Sequence, residues 1–477
     1  MKINKKWYED KVQACWIGKN IGGTIGGPFE GVEEMVEVTG FTTEKGQPLP
    51  NDDLDLQLLW LKAIEERGIL GITPAVLGEY WVRFIPPQWN EYGIAKANLK
   101  MGLLPPFCGE FENDHWKHSN GAWIRTEIWA CLFPGFPEMA VKYAYKDACI
   151  DHGLGEGTTA AIFVAALQSA AFVESNFRKL MDIGFSFISE DSMTAKSIKL
   201  AIDCYDNGVD FKEARNKIVE FSKDLGMFQA PANVAFVVLG LLYGEGDFKK
   251  SILLATSCGD DTDCTAATVG STMALMGGMN AIPEDWAEYV GDKILSYAID
   301  LSMKRLCRSC SELTRRIVKQ LPGVLSNFDV QVEFTDGETE YTEEKPFAII
   351  PQFSIPTNPY TYDDLADLTH TKLRAEFDRA PVVKPGETIK LTVTFLNGMY
   401  DPRNLFLKLH LPEGWSAEYK KHIAIMHDST GHRWIDEQPW DAIITVGENT
   451  ETINKLFLEV SAEGNPRTGM VPIIILG

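Results

Sequence analysis

The hydrophobic pattern of this chain changes once, near Leu321-Pro322-Gly323. Before this point apolar residues recur at helical spacing, as in 54–64, where they cover nearly every face. After it, apolar and polar residues alternate, as in 389–395, and turn signals separate the runs. A chain of 477 residues is too long to fold around a single hydrophobic core. We therefore predict an all-α domain over 1–325 and an antiparallel, immunoglobulin-like β-sandwich over 326–477.

Composition narrows the possible partners. The net charge is −22, from 45 basic and 67 acidic residues, which argues against a nucleic-acid-binding face. The N-terminus lacks the apolar segment of a signal peptide, and the longest apolar stretches are too short to cross a bilayer. The nine cysteines are an odd number set mostly among apolar residues, as expected for free thiols. We expect a cytoplasmic protein without a membrane partner, and the oligomeric state stays open.

Two clusters of aspartate precede apolar helical runs, Asp52-Asp53-Leu54-Asp55 and Asp260-Asp261-Thr262-Asp263. One interpretation is helix capping, because Asn51 is a good N-cap and acidic residues suit the first turn. Capping requires only one or two acids, however, and each cluster has three beside apolar sequence. Buried carboxylates normally need a cation, and oxygen ligands suit Mg²⁺ or Mn²⁺. A glycine-rich segment with one acid, 18–31, contains Glu30 and lacks the Gly-Lys-Ser/Thr of a phosphate loop.

Five segments in this order resemble the motifs of the ADP-ribosylglycohydrolase family. They are Gly26-Gly27-Pro28-Phe29-Glu30, Asp52-Asp53-Leu54, Asn120-Gly121-Ala122-Trp123-Ile124-Arg125, Ala148-Cys149-Ile150-Asp151-His152 and Gly259-Asp260-Asp261-Thr262-Asp263-Cys264. The resemblance covers about the first two-thirds of the chain. It implies an orthogonal all-α bundle with a cleft for divalent Mg²⁺ or Mn²⁺, and two such ions are expected.

The resemblance also assigns roles to residues. It implies that Glu30, Asp53 and Asp261 are catalytic, with Glu30 as a ligand or as the acid/base group. It implies that Asn120 and Gly121, at the turn that meets a diphosphate, bind the substrate, and that His152 does so too. Without the resemblance, His152 would be interpreted as a core histidine. Asp55 and Asp260 are left as supporting or capping residues. The implied metal ligands are Asn51, Asp52, Asp53, Asp261 and Asp263.

Four positions depart from the family pattern. Asn51 stands where the family usually has threonine or aspartate, although its amide oxygen can still serve as a ligand. Leu54 and Cys264 stand where the family usually has hydroxyl side chains, and Gly23 or Asn20 stands where it commonly has aspartate. Leucine offers no ligand atom and a cysteine sulfur suits Mg²⁺ poorly. These departures predict that one of the two metal positions is weakened, altered or lost.

The sequence leaves three alternative functions open. The first is metal-assisted hydrolysis of an ADP-ribosyl or related ribosyl N- or O-glycosidic bond, by attack of water at the anomeric carbon, on a small-molecule or protein-linked substrate. The second keeps the fold and the chemistry but changes the glycoside. The third is a catalytically idle binding or structural relative.

The β domain could cover the helical domain, shape the mouth of the cleft or mediate dimerisation. Trp415, Trp434 and Trp440 suit a core better than a carbohydrate surface.

Overall fold

Helices dominate the first two-thirds of the computed structural model, which describes residues 1–328, 330–340, 355–363, 365, 371–397, 403–425 and 437–477. No helix within these ranges is long and apolar enough to cross a membrane. The helices are α1 (Lys5–Gly26), α2 (Asp52–Arg67), α3 (Pro74–Phe84), α4 (Asn90–Met101), α5 (Phe107–Glu110), α6 (Glu127–Leu132), α7 (Pro137–His152), α8 (Glu156–Ala170), α9 (Phe177–Phe185), α10 (Met193–Asp206), α11 (Phe211–Ser222), α12 (Ala230–Tyr243), α13 (Phe248–Ser257), α14 (Thr262–Gly277), α15 (Glu284–Val290) and α16 (Cys310–Ser326).

Strands form the C-terminal part and one small sheet at the N-terminus. They are β1 (Lys2–Asn4), β2 (Glu333–Thr335), β3 (Thr361–Tyr362), β4 (Thr371–Phe377), β5 (Thr388–Asn397), β6 (Arg403–His410), β7 (Ser416–Tyr419), β8 (His422–Ile425), β9 (Glu437–Thr445), β10 (Ile453–Ala462) and β11 (Thr468–Leu476). β1 and β2 pair in parallel, which ties the segment after α16 to the start of the chain.

Two antiparallel sheets share one apolar core, with strand orders β11-β10-β6-β8 and β3-β4-β5-β9-β7. The alternation seen in the sequence is the reason, since Leu391 and Val393 of one sheet and Leu407 and Leu458 of the other are all buried. The expected helical domain followed by antiparallel sheets is confirmed. Trp415 and Trp440 are buried in this core, and Trp434 lies outside the described residues.

Helices α1 and α14 cross closely because small residues face each other. A Cβ added to Gly22 would lie 2.2 Å from the carbonyl oxygen of Ala266, and one added to Gly270 would lie 2.2 Å from that of Gly18. Backbones at this distance leave no space for any side chain. The crossing places the C-terminus of α1 beside the N-terminus of α14, and both ends carry predicted site residues.

Gly22→Ala is expected to lower the free energy of unfolding by about 3 kcal/mol, because the new methyl group overpacks a backbone contact. The control is Gly323→Ala in α16, where an added Cβ meets nothing within 4 Å. Because alanine is the better helix former, the control should change stability by at most about 1 kcal/mol, in the stabilising direction. Urea denaturation of both variants measures the difference, and equal effects would contradict the close crossing.

The β domain packs against the segment that joins α4 to α5. Leu103 and Phe107 belong to the apolar core of the sandwich, and the Asp363 N–H donates to the Pro105 carbonyl at 3.0 Å. None of the described residues after Tyr297 lines the cleft discussed below. The domain therefore supports the C-terminal end of α4, whose N-terminal end reaches the cleft.

Candidate metal centre and substrate cleft

Three helix ends meet at one cleft. The Thr262 hydroxyl, in the first turn of α14, donates to the carbonyl of Gly26 at the end of α1, at 2.8 Å. A single turn, Gly27–Phe29, then carries the chain to Glu30. The first residue of α2, Asp52, also lines the cleft. The fold thus joins carboxylates that lie more than 200 positions apart.

The side chains that line this cleft are mostly acidic or aromatic. Its described lining contains no lysine, arginine or histidine. Five carboxylates line it, from Glu30, Asp52, Glu91, Asp261 and Asp263. Five aromatic residues also line it, namely Trp89, Tyr92, Trp116, Phe228 and Tyr297. Trp89 and Tyr297, 43% and 46% exposed, have ring centroids 5.6 Å apart and form a rim.

Two buried carboxylate oxygens in this cleft have no hydrogen-bond partner among the described residues. They are Oδ1 of Asp261 and Oδ1 of Asp263, whose side chains are nearly fully buried. One carboxylate oxygen from each, together with one from Glu30, lies within 4.8 Å of the other two. Desolvated carboxylate oxygens without donors are costly unless a cation is present. This group fits a hard divalent cation.

The carboxylates perturb each other's titration. Burial, with the charges of Asp261 and Asp52, raises the pKa of Glu30 to about 7. Burial and the Asp261 charge also raise the pKa of Asp52, although the Tyr92 hydroxyl, which donates to it at 3.1 Å, opposes this shift. Burial, then Asp261 and Glu30, raise the pKa of Asp263 well above its ordinary value. Each shift has the direction that a bound cation would reverse.

Asp53 lies behind the cleft and already has a cationic neighbour. The Lys19 ammonium is 3.4 Å from its Oδ2 and 2.9 Å from Oε1 of Glu127, and all three side chains are fully buried. Burial alone would lower the pKa of Lys19, but the charges of Asp53 and Glu127 raise it above its ordinary value. Lys19 is therefore a buried ammonium held between the carboxyl groups of Asp53 and Glu127, although burial raises the pKa of Asp53 well above its ordinary value and the Lys19 charge only opposes this shift.

The Cys264 thiol completes the surroundings of Asp53. Its sulfur lies 3.4 Å from Oδ1 of Asp53, and oxygens of Asp53 and Asp263 with this sulfur form a second group within 4.8 Å. Burial and the charges of Asp261 and Asp53 raise the pKa of Cys264 well above its ordinary value. Without a cation the thiol therefore stays protonated, and a cysteine sulfur is in any case a soft ligand that suits Mg²⁺ or Mn²⁺ poorly.

Three residues of the acidic clusters have supporting roles. The Asn51 amide oxygen accepts the Asp53 N–H at 2.7 Å and caps α2, so its role as a metal ligand stays a prediction. Asp55 accepts the N–H groups of Tyr297 and Ala298, each at 2.8 Å, which fixes the loop beside the cleft. Asp260 accepts the Phe228 N–H at 2.7 Å and the Asn233 amide at 3.2 Å.

The predicted substrate-binding residues lie on one wall. The Asn120 amide donates to Oδ2 of Asp261 at 2.7 Å, which orients that carboxylate. Gly121 lines the cleft beside it. His152 is fully buried behind this wall, with Nε2 3.0 Å from the Ser119 hydroxyl, and is not among the lining residues. Its predicted contact with substrate remains a prediction.

Sequence reasoning did not identify Lys19 or Glu91. A single lysine inside the apolar, glycine-rich segment 14–26 is a visible signal, because a buried lysine requires a partner. Glu91 gives no such signal. It precedes Tyr92 at the start of α4, far along the chain from either aspartate cluster, and only the fold brings it to the cleft.

Comparison with known proteins identifies the family. A sequence model of the ADP-ribosylglycohydrolase family matches residues 4–313. An uncharacterized protein of Archaeoglobus fulgidus is 22% identical over 327 residues, which cover 65% of this chain and 99% of that protein. A solved ADP-ribosylglycohydrolase-related protein complex is 19% identical and covers 67% of this chain and 99% of its own, with a TM-score of 0.47. A FixG-related protein from Vibrio parahaemolyticus is 10% identical and covers 23% of this chain and 97% of its own, with a TM-score of 0.19. Since the family match covers more than half of its residues, the chain belongs to the ADP-ribosylglycohydrolase family.

Proposed function

We propose that this protein hydrolyses a glycosidic bond of a ribosyl-type sugar, with the help of a divalent cation bound in the cleft. One observation carries the proposal. The unpartnered, buried oxygens of Asp261 and Asp263 converge with Glu30 at a cleft large enough to be lined by sixteen residues. A purely structural relative would have no physical reason to keep uncompensated charge there. This argues against the catalytically idle alternative.

The residues that would hold the cation are Glu30, Asp52, Asp261 and Asp263. When bound, a divalent cation at this position supplies a positive charge that orients sugar hydroxyls and favours the ionisation of water. Side chains of the protein would supply the other contributions to catalysis. Asn120 fixes the orientation of Asp261, and Glu30 stands where it can accept a proton from water. The carboxylates stabilise the positive charge that develops on the sugar in the transition state.

We infer that the cleft holds one cation where the family resemblance predicts two. The second group of ligand atoms comprises Asp53, Asp263 and Cys264. Its Asp53 already has the Lys19 ammonium 3.4 Å away, and its third member is a cysteine sulfur, a soft ligand that suits Mg²⁺ or Mn²⁺ poorly. A second divalent ion would therefore meet electrostatic repulsion from Lys19 and a poorly matched ligand.

ADP-ribosyl conjugates of arginine or serine are the substrates that the family predicts, and other glycosides are the alternative. The test is to incubate the protein with ribosyl conjugates and measure sugar release with Mn²⁺, with Mg²⁺ and with EDTA. Release that requires the metal supports the proposal. Failure to bind any divalent ion, or equal release in EDTA, contradicts the metal-assisted hydrolysis.

Metal binding itself gives an expected result. Calorimetric titration with Mn²⁺ should show one ion per chain, and free ion at 100 times its Kd should stabilise the fold by about 2.7 kcal/mol. Stabilisation by Mn²⁺ should be larger at pH 8 than at pH 5, because the pKa of Glu30 is about 7 and protons compete with the ion below that pH.

Without metal, the contribution of Glu30 to stability depends on pH in the opposite direction. Between about pH 4.5 and pH 7 the folded carboxyl keeps a proton that the unfolded one has lost, so stability falls as pH rises. Thermal unfolding at both pH values, with and without Mn²⁺, checks these signs.

A further inference from the structure

Glu91 carries a carboxyl group in the cleft that is not among the cation-binding carboxylates. Its side chain is 7% exposed and lines the cleft beside Ser119 and Gly121. Its Oε1 lies 2.5 Å from the point where a Cβ on Gly121 would stand, so the carboxyl group lies against the backbone of that turn. Neither the binding of the cation nor the activation of water uses this group.

Glu91 is close to the cation-binding carboxylates, because one aromatic ring spans the distance between them. Cε1 of Tyr92 lies 3.2 Å from the same point beside Gly121. At the other side of this ring, the Tyr92 hydroxyl donates to Oδ2 of Asp52 at 3.1 Å. A sugar bound beside Asp52 is about as wide as this ring, so its substituents come within reach of Glu91.

The buried positive charges behind Glu91 are already balanced. Arg125 donates to both carboxylate oxygens of Asp151, at 2.7 and 3.0 Å, and to Asp147 at 2.8 Å. Nδ1 of His152 lies 3.0 Å from Oδ1 of Asp151, without the alignment of a hydrogen bond. One ligand atom each from Glu91, Asp151 and His152 lies within 4.8 Å of the other two. Arg125 and a protonated His152 would offset only the two aspartates, so an ionised Glu91 would add an uncompensated buried charge.

These surroundings favour a proton on Glu91 near neutral pH. Burial raises its pKa most strongly, and the charge of Asp151 adds to this shift. The charge of His152 and a hydrogen bond from the Ser119 hydroxyl oppose it, which leaves the pKa of Glu91 at about 7. Tyr92, its titratable neighbour on the same helix, stays protonated because burial raises the pKa of its hydroxyl well above the ordinary value. A carboxyl group with a pKa close to the working pH is suited to general acid catalysis.

Hydrolysis of a bond to an alcohol requires such an acid. Without a proton, the oxygen would have to leave as an alkoxide, which is a much poorer leaving group than the alcohol. Glycosidases commonly divide the work between two carboxyl groups, one of which protonates the leaving group. Glu91 is the one carboxyl group in the described lining of the cleft that is not assigned to the cation; the assigned ones belong to Glu30, Asp52, Asp261 and Asp263.

We propose that Glu91 is the general acid of this site and donates its proton to the leaving oxygen of an O-linked glycoside. The bond between the anomeric carbon and this oxygen breaks, its electron pair stays on the oxygen, and the oxygen takes the proton of Glu91. Water forms the new bond to the anomeric carbon and gives a proton to the carboxylate of Glu30. Proton exchange with solvent then restores both groups. The proposal rests on the proposed glycosidic hydrolysis and names the acid of that reaction.

The experiment compares leaving groups that need a proton with leaving groups that do not. α-Linked ADP-ribosyl-serine releases an alcohol, whereas the α-anomer of NAD⁺ carries the same ADP-ribosyl group and releases neutral nicotinamide without a proton. Methyl and 4-nitrophenyl α-ribofuranoside make the same comparison on a plain ribosyl group, because 4-nitrophenolate is a good leaving group. We would measure kcat/KM for all four compounds with Mn²⁺ present, in the wild type and in Glu91→Gln.

The loss in Glu91→Gln should depend on the leaving group. We expect kcat/KM to fall about 10²–10⁴-fold for ADP-ribosyl-serine and the methyl riboside, and less than about 10-fold for the α-anomer of NAD⁺ and the nitrophenyl riboside. Activity that remains on the second pair shows that the variant is folded. The control is Glu79→Gln, which changes a side chain that is 69% exposed and should leave all four values unchanged.

The pH profile of the wild type gives a second measurement that does not depend on any variant. For ADP-ribosyl-serine, kcat/KM should decrease as the pH rises through about 7, because Glu91 loses the proton that it donates. This decrease should be absent for the α-anomer of NAD⁺. The same alkaline decrease for both compounds would overturn the proposal.

The remaining outcomes separate the role of Glu91 from the proposed function. Equal losses for both members of each pair in Glu91→Gln would show that this residue only binds or positions the substrate, and would overturn its role as the acid while hydrolysis itself stands. Unchanged values in Glu91→Gln would do the same. If the wild type cleaves none of the four compounds, the proposed hydrolysis is contradicted, and the role of Glu91 as its acid with it.

Discussion

Asp261→Asn is expected to lower turnover by about 10²–10³-fold, because it removes one of the charges that hold the cation. The fold should survive. Oδ2 of Asp261 accepts a hydrogen bond from Asn120 at 2.7 Å, and an asparagine oxygen can accept the same bond. The amide nitrogen would occupy the position of Oδ1, which has no partner among the described residues. Turnover with Mn²⁺ and the Mn²⁺-induced rise in unfolding temperature are measured together.

The matched control is Asp191→Asn, which removes the same charge from a side chain that is 98% exposed, with its nearest lysine 4.0 Å away. This variant should retain wild-type turnover and the full Mn²⁺ stabilisation. Wild-type turnover in Asp261→Asn would exclude the metal centre described here. Loss of turnover with unchanged Mn²⁺ stabilisation would show that Asp261 acts on the substrate and not through the cation.

Lys19→Met is expected to lower the free energy of unfolding by about 3–5 kcal/mol, because it leaves the buried carboxyl groups of Asp53 and Glu127 without their cationic partner. Methionine keeps the length of the apolar stem, so the lost charge dominates the effect. Glu127 would keep its hydrogen bonds from Ser271 at 2.8 Å and Gln168 at 3.0 Å, which stabilise it only in part. Urea denaturation without metal measures the change.

Two further variants isolate the ion pair. Lys19→Met combined with Glu127→Gln should recover at least about 2 kcal/mol of that loss, since the buried charge of Glu127 is gone. Lys179→Met removes an exposed lysine that pairs with Glu174 at 3.2 Å, and should cost less than about 1 kcal/mol. A cost below about 1 kcal/mol for Lys19→Met would contradict a buried charged network.

The same variant tests the number of cations. If Lys19 takes the place of a second ion, calorimetry should show a second Mn²⁺ binding event in Lys19→Met that the wild type lacks. Two ions in the wild type would contradict the single-cation proposal and return to the two-ion prediction.

The predictable parts of the site are those in which local sequence carries a physical requirement. Clustered charge beside apolar residues predicted that Asp261 and Asp263 would be buried without enough protein partners, and the structure agrees. The two clusters are not equivalent in the structure. Asp53 turns away to Lys19, whereas Asp261 stays in the cleft, because neighbours from distant helices decide which carboxylate is already paired.

The local sequence around Glu91 does not predict that this residue lines the cleft. Nothing in the run from Trp89 to Tyr92 distinguishes it from an ordinary helix start, and its position in the lining of the cleft depends on how α4 is held. The β domain contributes there, since it packs on the segment after α4 while remaining outside the described lining of the cleft.

By itself, the sequence determined the two fold classes, through the change from helical to strand periodicity, and the family, through ordered motifs. These are local or sequential properties, and any fold consistent with them must bury the same faces. Only the tertiary structure decided which charges compensate each other. The strength of an electrostatic interaction depends on distance and desolvation, which exist only after α1, α2 and α14 have packed. The partners of Asp53 and the number of carboxylates that line the cleft both follow from that packing.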